Sequence, residues 1–406
     1  MDYKKLLTSS GKFRINLGLD RIKATLELLG NPQEKCKFIH IAGTNGKGST
    51  SKLINDILIE HFNNSAKIGL FTSPHLFSYC ERIKINNVDI LEDELDYLIN
   101  KIDKLAKKNA IDLTEFELLT ASAFLYFAKN NVKYAILEVG LGGLYDATNI
   151  IKNPEIAVIT TIDYDHTQRL GNTIEEIAFQ KAGIIKENSK VVINKNNLGF
   201  ETVKKEAEKK NAKIIDTIPT DIKFKDFNHN YAIFNNKKYL FNLLGSHQKD
   251  NLSLALSAIN ALNLNISNET MENALKKASW KFRLEYLKKY NILIDGAHNP
   301  NGITSLKKFL DESSSQNKKT IIFGCLNNKD YPKMLEILLK NEDKFFFFEF
   351  NYPNSLKFNE LPKEFQSKAT LLKTVDEVHN LIKKDNSFKV ICGSLYMLGQ
   401  VFKDFS

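Results

Sequence analysis

Lys37-Phe38-Ile39-His40-Ile41-Ala42-Gly43-Thr44-Asn45-Gly46-Lys47-Gly48-Ser49-Thr50 decides the fold of this chain. Residues 37–42 form an apolar run that ends in glycines, which predicts a buried strand. Residues 48–62 follow with helical apolar spacing. A strand, a glycine turn, a lysine and a helix, in that order, suit phosphate. Glycines let several backbone N–H groups face one anion, and the helix N-terminus adds its positive end. Lys47 supplies a mobile charge for the β- and γ-phosphates, and Ser49 or Thr50 can reach an oxygen or a metal. An ordinary glycine-rich turn is the plain alternative, but strand, loop, lysine and helix all agree on phosphate. The expected nucleotide contacts are therefore Thr44, Asn45, Gly46, Lys47, Gly48, Ser49 and Thr50.

Outward from this turn the same alternation recurs. Strands are expected at 66–71, 134–139 and 156–162, and helices at 92–108, 115–129, 174–186 and 249–262. The continuous apolar runs at 134–139 and 156–162 suit strands buried on both faces of a parallel sheet. Residues 190–244 are less regular, with short strand-like pieces. A second cycle follows, with strands at 291–295, 320–325, 344–350 and 389–392 and helices at 302–310, 331–340 and 374–384. Alternating β and α predicts a doubly wound α/β fold. We expect an N-terminal phosphate-loop ATPase domain over 1–286, with a mostly parallel sheet, and a smaller C-terminal Rossmann-like α/β domain over 287–406.

Composition narrows the partners. With 43% hydrophobic and 26% charged residues the chain can build a core. Its net charge of +9 raises nucleic acid as a ligand, but only five residues are arginine (Arg14, Arg21, Arg82, Arg169 and Arg283). Base readout and bidentate phosphate clamping favour arginine forks, and no lysine stripe is interleaved with aromatics. Solvated lysine faces are the better reading, so no nucleic-acid partner is expected. No apolar run approaches the roughly 18–20 residues that span a bilayer, so no membrane is expected either. Cys36, Cys80, Cys325 and Cys392 are scattered, without metal-ligand spacing. With no signal-peptide pattern at the start, they read as reduced thiols of a cytoplasmic protein.

The turn departs from the common GxxxxGK[ST] form, because Gly48 separates the lysine from the hydroxyl residues. GTNGKGST (43–50) resembles the Mur ligases, and more narrowly the dihydrofolate synthase/folylpolyglutamate synthase family. Further matches run in family order: Ser73-Pro74-His75-Leu76 with Glu81-Arg82-Ile83, LEVGLGG (137–143), DATN (146–149), DHT (165–167), KAGIIK (181–186), HQKDN (247–251), DGAHNP (295–300) and Cys392-Gly393-Ser394. The resemblance spans nearly the whole chain. It implies an ADP-forming ligase, acting as a monomer, that uses ATP and two Mg²⁺ ions to add L-glutamate to dihydropteroate or folates.

Some site residues have a reading of their own. Glu138 ends an apolar strand, where α/β sheets place their ligands, and a carboxylate there suits Mg²⁺. His166 also follows a strand; its imidazole can ligate a second metal or merely hydrogen-bond, and the resemblance favours ligation and a catalytic part. Other roles come only from the resemblance. Ser73 would join Glu138 on the first metal. Lys181, which the sequence alone reads as a solvated helix lysine, would be a carbamylated catalytic residue. Asn251, Arg283, Asp295 and His298 would contact ATP, the last two from a loop that closes over the nucleotide. Ile15, Asn16, Leu17, Arg82, Thr114, Glu115, Phe116, Glu117, Tyr145, Asp146 and Ala147 would bind the pteroate or folate. Phe116 would be a stacking platform, or else a core residue of its helix.

Departures fall on the substrate side. The family's frequent GGRLDATN reads Gly142-Gly143-Leu144-Tyr145-Asp146 here, Lys281-Phe282-Arg283 replaces Pro-Gly-Arg, and Asn16 stands where some relatives carry aspartate. Two rivals share the phosphate loop. A peptidoglycan-precursor ligase has the same chemistry, but 36 residues before the first strand leave no room for its uridine-nucleotide domain. A phosphate-loop binding protein without ligase activity would bind ATP with indifference to folate and glutamate.

Overall fold

Eight strands form the first sheet of the computed structural model: β1 (Lys37–Ala42), β2 (Lys67–Phe71), β3 (Ile83–Ile85), β4 (Val88–Asp89), β5 (Val132–Glu138), β6 (Ile156–Ile159), β7 (Lys190–Ile193) and β8 (Lys213–Ile215). Their order is β4-β3-β2-β5-β1-β6-β7-β8. All pairs from β2 to β8 are parallel, and β3 and β4 add antiparallel strands at one edge. The structure describes residues 3–9, 18–227, 229–313, 318–339 and 343–405, so the expected contacts Ile15, Asn16 and Leu17 lie outside the described residues.

The central strands are apolar throughout because both faces are covered. On one face Phe38, Phe71, Phe124 and Phe127 pack with the helices Glu92–Lys108 and Glu115–Lys129. Further along the same face, Ile159, Ile177, Ile184 and Val203 pack with the helices Ile174–Ala182 and Phe200–Lys209, since Phe38 and Ala42 fall on one side of β1. The opposite face, with Ile39, Ile41 and Ile136, is covered by the helix Lys47–Phe62. Register aligns the strand ends. Phe71 pairs with Leu137, Ile41 with Glu138, and Ala42 with Ile159. The last residues of β2, β5, β1 and β6 therefore form one edge, and the phosphate-loop turn leaves from it.

Chain contacts separate two units, Met1–Thr220 with Asp250–Leu275, and Asp221–Lys249 with Lys276–Ser406. The sequence reading divides the chain once, at 286/287; the contacts instead assign Asp221–Lys249 to the second unit. That segment carries a three-stranded antiparallel sheet of β9 (Asp221–Asp226), β10 (His229–Phe234) and β11 (Lys237–Leu240). The second unit's main sheet contains β12 (Glu285–Leu287), β13 (Ile292–Asp295), β14 (Thr320–Phe323), β15 (Lys344–Phe348), β16 (Ala369–Leu372) and β17 (Lys389–Cys392), in the order β12-β13-β17-β14-β15-β16. Phe224 and Phe227 stack edge-on against Phe309, which ties β9 to this core. Among the described residues, no helix is long and apolar enough to cross a membrane.

Two elements end sooner than their apolar runs. β6 stops at Ile159 because Thr160 and Thr161 turn to the phosphate-loop side. The helix from Ile174 stops at Ala182 because Gly183 packs on residue 144. A Cβ on Gly183 would lie 2.3 Å from the Leu144 Cα, a backbone atom that cannot swing aside. Gly183→Ala should therefore destabilise the first unit by roughly 1–3 kcal/mol, read as a lower urea midpoint; an unchanged midpoint would show that this approach is not tight.

Candidate nucleotide and ligation site

The turn after β1 is clasped from the neighbouring strand. Thr44 N donates to Thr161 O at 2.7 Å, and Asn45 N to Thr161 Oγ1 at 3.0 Å. Thr160 Oγ1 donates to Asn45 O at 2.7 Å, and Thr44 Oγ1 to Asp163 O at 3.0 Å. Gly43, at φ 156°, makes the closest approach, because a Cβ there would stand 1.7 Å from Thr160 Oγ1. Asn251 presses on the far side of the turn; its Oδ1 lies 2.3 Å from where a Cβ of Gly46 would be. Lys47 Nζ donates to Gly43 O at 3.0 Å and Thr44 O at 3.2 Å. Ser49 and Thr50 are buried in the first helical turn, and Thr50 Oγ1 has no hydrogen-bond partner among the described residues. A helix N-terminus, a tethered lysine and an unpartnered hydroxyl together suit an anionic ligand.

Glu138 is buried beside this turn, and Ser73 N donates to its Oε2 at 3.2 Å. The two residues that would share a metal are thus in contact. Lys181 differs from its reading as a solvated lysine. It is only 3% exposed, and burial, with the Lys47 charge adding, pushes its pKa down to about 7; Asp165 opposes. Its burial follows from packing of residues 143–144, where Leu144 N donates to Gln180 O at 2.8 Å. His166 stands at φ 52° with its side chain 48% exposed and Nε2 3.9 Å from Asp165 Oδ1. No cluster of three His, Cys, Asp or Glu side chains suited to a metal occurs among the described residues.

The expected substrate residues gather around the start of the helix Glu115–Lys129. Arg82 is buried, with Nε donating to His75 Nδ1 at 2.9 Å and Nη2 3.8 Å from Glu115 Oε1. His75 packs on Tyr79 at 4.3 Å, and Arg82 lies over the same ring at 5.4 Å. Phe116 is partly buried, 5.8 Å from Phe71, and its ring edge lies 2.6 Å from where a Cβ of Gly140 would be. Thr114 and Glu117 form a capping box, and Arg21 pairs with the same glutamate at 3.2 Å. Their polar groups therefore serve the helix start. Tyr145 is 48% exposed, whereas Asp146 and Ala147 are buried. Asp146 accepts from Leu141 N at 2.9 Å and Thr148 N at 3.0 Å, so its carboxylate holds a loop together. Glu81 closes the other loop, taking N–H groups of Leu76, Phe77 and Ser78 at 2.8–2.9 Å. The sequence reading assigned no role to Arg21, His75 or Glu81; rarity of arginine was the one signal for Arg21.

In the second unit Asp295 ends β13, buried, and accepts from Leu284 N and Ala297 N, each at 2.8 Å. Burial raises its carboxyl above the ordinary value, with Arg283 opposing. His247 is pushed down to about 4 by burial and by Arg283. His298 Nδ1 donates to Gly296 O at 2.9 Å.

Comparison with known proteins agrees along the chain. Residues 41–259 match the Mur ligase middle domain, and residues 280–404 the dihydrofolate synthetase C-terminal domain. A dihydrofolate synthase/folylpolyglutamate synthase of Bacillus subtilis is 33% identical, over 97% of this chain and 96% of the relative. The folylpolyglutamate synthase of Mycobacterium tuberculosis, solved with ADP and AMPPCP, superposes with a TM-score of 0.88 at 26% identity, covering 100% of this chain and 97% of that one. A bifunctional folylpolyglutamate synthase/dihydrofolate synthase of Yersinia pestis, solved with AMPPNP and a Mn ion, gives 0.86 at 26% identity, covering 99% and 96%.

The burial of Lys181 has a pH signature. Its pKa is 10.5 when unfolded and about 7 when folded. Below about pH 7 both states hold the proton, and the full cost of burying the ammonium is present. Between the two values the unfolded state binds more protons, so stability rises with pH. In carbon-dioxide-free buffer Lys181→Met should be more stable than the parent at about pH 6, by on the order of a few kcal/mol. That advantage should fade toward about pH 10. Urea titrations across this range check it; a difference independent of pH would contradict the assignment.

Proposed function

The chain belongs to the Mur ligase family, in its dihydrofolate synthase/folylpolyglutamate synthase branch, and we propose that it uses ATP to couple L-glutamate to a pteroate or folate carboxylate. The observation that carries this reading is the adjacency of the clasped phosphate turn and the buried Glu138, held by the pairing of Ile41 with Glu138. The peptidoglycan-precursor alternative has less support, because residues 280–404 match a dihydrofolate synthetase C-terminal domain.

In this proposal the triphosphate lies on the N–H groups of residues 46–49, those of Thr44 and Asn45 being bonded to Thr161. Lys47 leaves its two loop carbonyls for the β- and γ-phosphates, where it neutralises charge on the transferring group. The substrate carboxylate attacks the γ-phosphorus, the bond to the β-phosphate oxygen breaks, and an acyl phosphate and ADP form. The glutamate amine then attacks the acyl carbon, loses a proton, and expels inorganic phosphate. Glu138 and Ser73 fit one Mg²⁺: a buried carboxylate and a hydroxyl beside a phosphate site are hard oxygen donors, and Mg²⁺ takes few protein ligands when phosphates supply the rest. When bound it would supply charge neutralisation on the β- and γ-phosphates. His166 is proposed for a second ion. In the second unit, Arg283, Asp295 and His298 remain proposed nucleotide contacts.

Lys181 is proposed as a carbamate. Carbon dioxide reacts with a neutral amine, and a lysine at about 7 is substantially neutral at physiological pH. The N–C bond forms, the amine proton leaves, and an anion replaces a buried cation beside Lys47. On the substrate side, Arg82 and Phe116 are proposed to hold the glutamyl carboxylate and the flat ring, with Glu115 buried beside Arg82 and Tyr145 at the rim.

Purified protein with MgATP, glutamate and either dihydropteroate or tetrahydrofolate should form ADP together with a product heavier by one glutamyl unit. ADP formation indifferent to both acceptors would overturn the proposal. Lys47→Ala and Glu138→Ala should each lower turnover by at least about 10³-fold while far-ultraviolet circular dichroism is unchanged. Near-normal turnover in either variant would refute its role. Under ¹³C-labelled bicarbonate the protein should show one carbamate carbon resonance that Lys181→Met removes.

A further inference from the structure

His40 lies in mid-β1, and nothing in the ligation chemistry above uses it. Its ring is fully buried on the sheet face that carries Phe38 and Ala42, with Nε2 2.8 Å from Thr148 Oγ1. Thr148 Oγ1 lies 2.5 Å from Asp146 Oδ1. The direction of each bond follows from counting protons. Asp146 already accepts the N–H groups of Leu141 and Thr148. Burial raises the Asp146 carboxyl above its ordinary value, and the hydrogen bonds from the Thr148 hydroxyl and from the Leu141, Thr148 and Gly140 N–H groups oppose that shift. As a carboxylate it only accepts, so the single Thr148 hydroxyl proton goes to it. Thr148 must then accept from His40, which makes the imidazole the Nε2–H tautomer with a bare Nδ1. Consistently, Nδ1 has no hydrogen-bond partner among the described residues.

The surroundings hold this state. Burial, and the nearby Lys186 charge, push the His40 pKa down to about 3, so the ring is neutral at working pH. Lys186 is itself tied to Asn149 O at 3.0 Å, and Asn149 Nδ2 bonds Leu144 O at 2.9 Å and Gly183 O at 3.1 Å. Residues 146–149 thus form a buried hub. One end fixes the loop that runs on from Glu138, and the other fixes the helix end that carries Lys181. The phosphate turn is held separately, by Thr160 and Thr161.

We propose that His40 is a positioning residue for ligation: its Nε2–H, relayed through Thr148, holds Asp146 and so sets the loop between Glu138 and Lys181. This rests on the ligase reading above. Because the relay serves that loop and not the phosphate turn, its loss should fall on the folate and glutamate steps more than on ATP binding.

Two measurements test it. In ¹⁵N-histidine-labelled protein, one imidazole should be a neutral Nε2–H tautomer, unchanged from about pH 5 to about pH 8, and absent from the spectrum of His40→Gln. An Nδ1–H tautomer, or titration within that range, overturns the relay whether or not the protein is a ligase. In kinetics, His40→Leu and Thr148→Val should each lower kcat/KM for the folate substrate by about 10-fold or more, with the KM for ATP within about two-fold. The double variant should be no worse than either single one, since both break one chain. His40→Gln, whose amide can donate in place of Nε2, should recover most of the loss. Multiplying losses, an ATP KM rising in step, or a glutamine variant no better than leucine would each overturn the proposal. If His40→Leu does not fold, Thr148→Val and the tautomer decide. A parent protein that forms no ADP in response to folate and glutamate refutes the ligase reading instead, and the tautomer alone then decides whether the relay exists.

Discussion

The first unit depends on a close backbone approach, the seating of Gly43 against Thr160. A phosphate turn must aim its N–H groups outward, so its carbonyls need partners on the inside. Thr160 supplies a hydroxyl to Asn45 O, and Lys47 takes Gly43 O and Thr44 O. None of this fits if residue 43 carries a side chain. Because β6 lies on one side of β1 and β5 on the other, the same edge receives the clasp from Thr160 and Thr161 and the carboxylate of Glu138. Strand order is what turns a local motif into a site.

The second determinant is electrostatic. A buried lysine beside another lysine is costly as an ammonium. Lys181 meets that cost by shifting its pKa toward neutrality, and a neutral amine is what carbamate chemistry needs. Packing rather than local charge creates this state. Gly183 lets residue 144 come within contact of the helix end, and Asn149 bonds both segments. Small residues at 143 and 183 thus set the packing that buries Lys181.

Legibility in the sequence followed the range of the interactions. Strands and helices with continuous or 3.6-residue apolar patterns were readable, as were the phosphate turn and the strand-end position of Glu138, since each depends on neighbours in the chain. Long-range packing was not readable. Lys181 sits in a helix whose polar residues read as solvated, yet it is buried where residues 143–144 pack on the end of that helix. The pairing of Arg82 with His75 and Glu115 joins three segments that no periodicity connects. Region 190–244 read as irregular because its strands are short and its edge strand β9 alternates exposed with half-buried residues. Asp146 appeared as a substrate contact by resemblance, while its carboxylate is bonded inward to Leu141 and Thr148.

Activation of a carboxylate by phosphoryl transfer at the Lys47 turn is the chemistry we propose that these features serve. Its most direct test is isotopic: folate substrate labelled with ¹⁸O in the reacting carboxylate is turned over with MgATP and glutamate, and the released phosphate is weighed. An acyl phosphate predicts one ¹⁸O atom in each phosphate formed with ligated product. Phosphate that carries no label while product accumulates would contradict this chemistry, because the carboxylate oxygen would then never have met the γ-phosphorus.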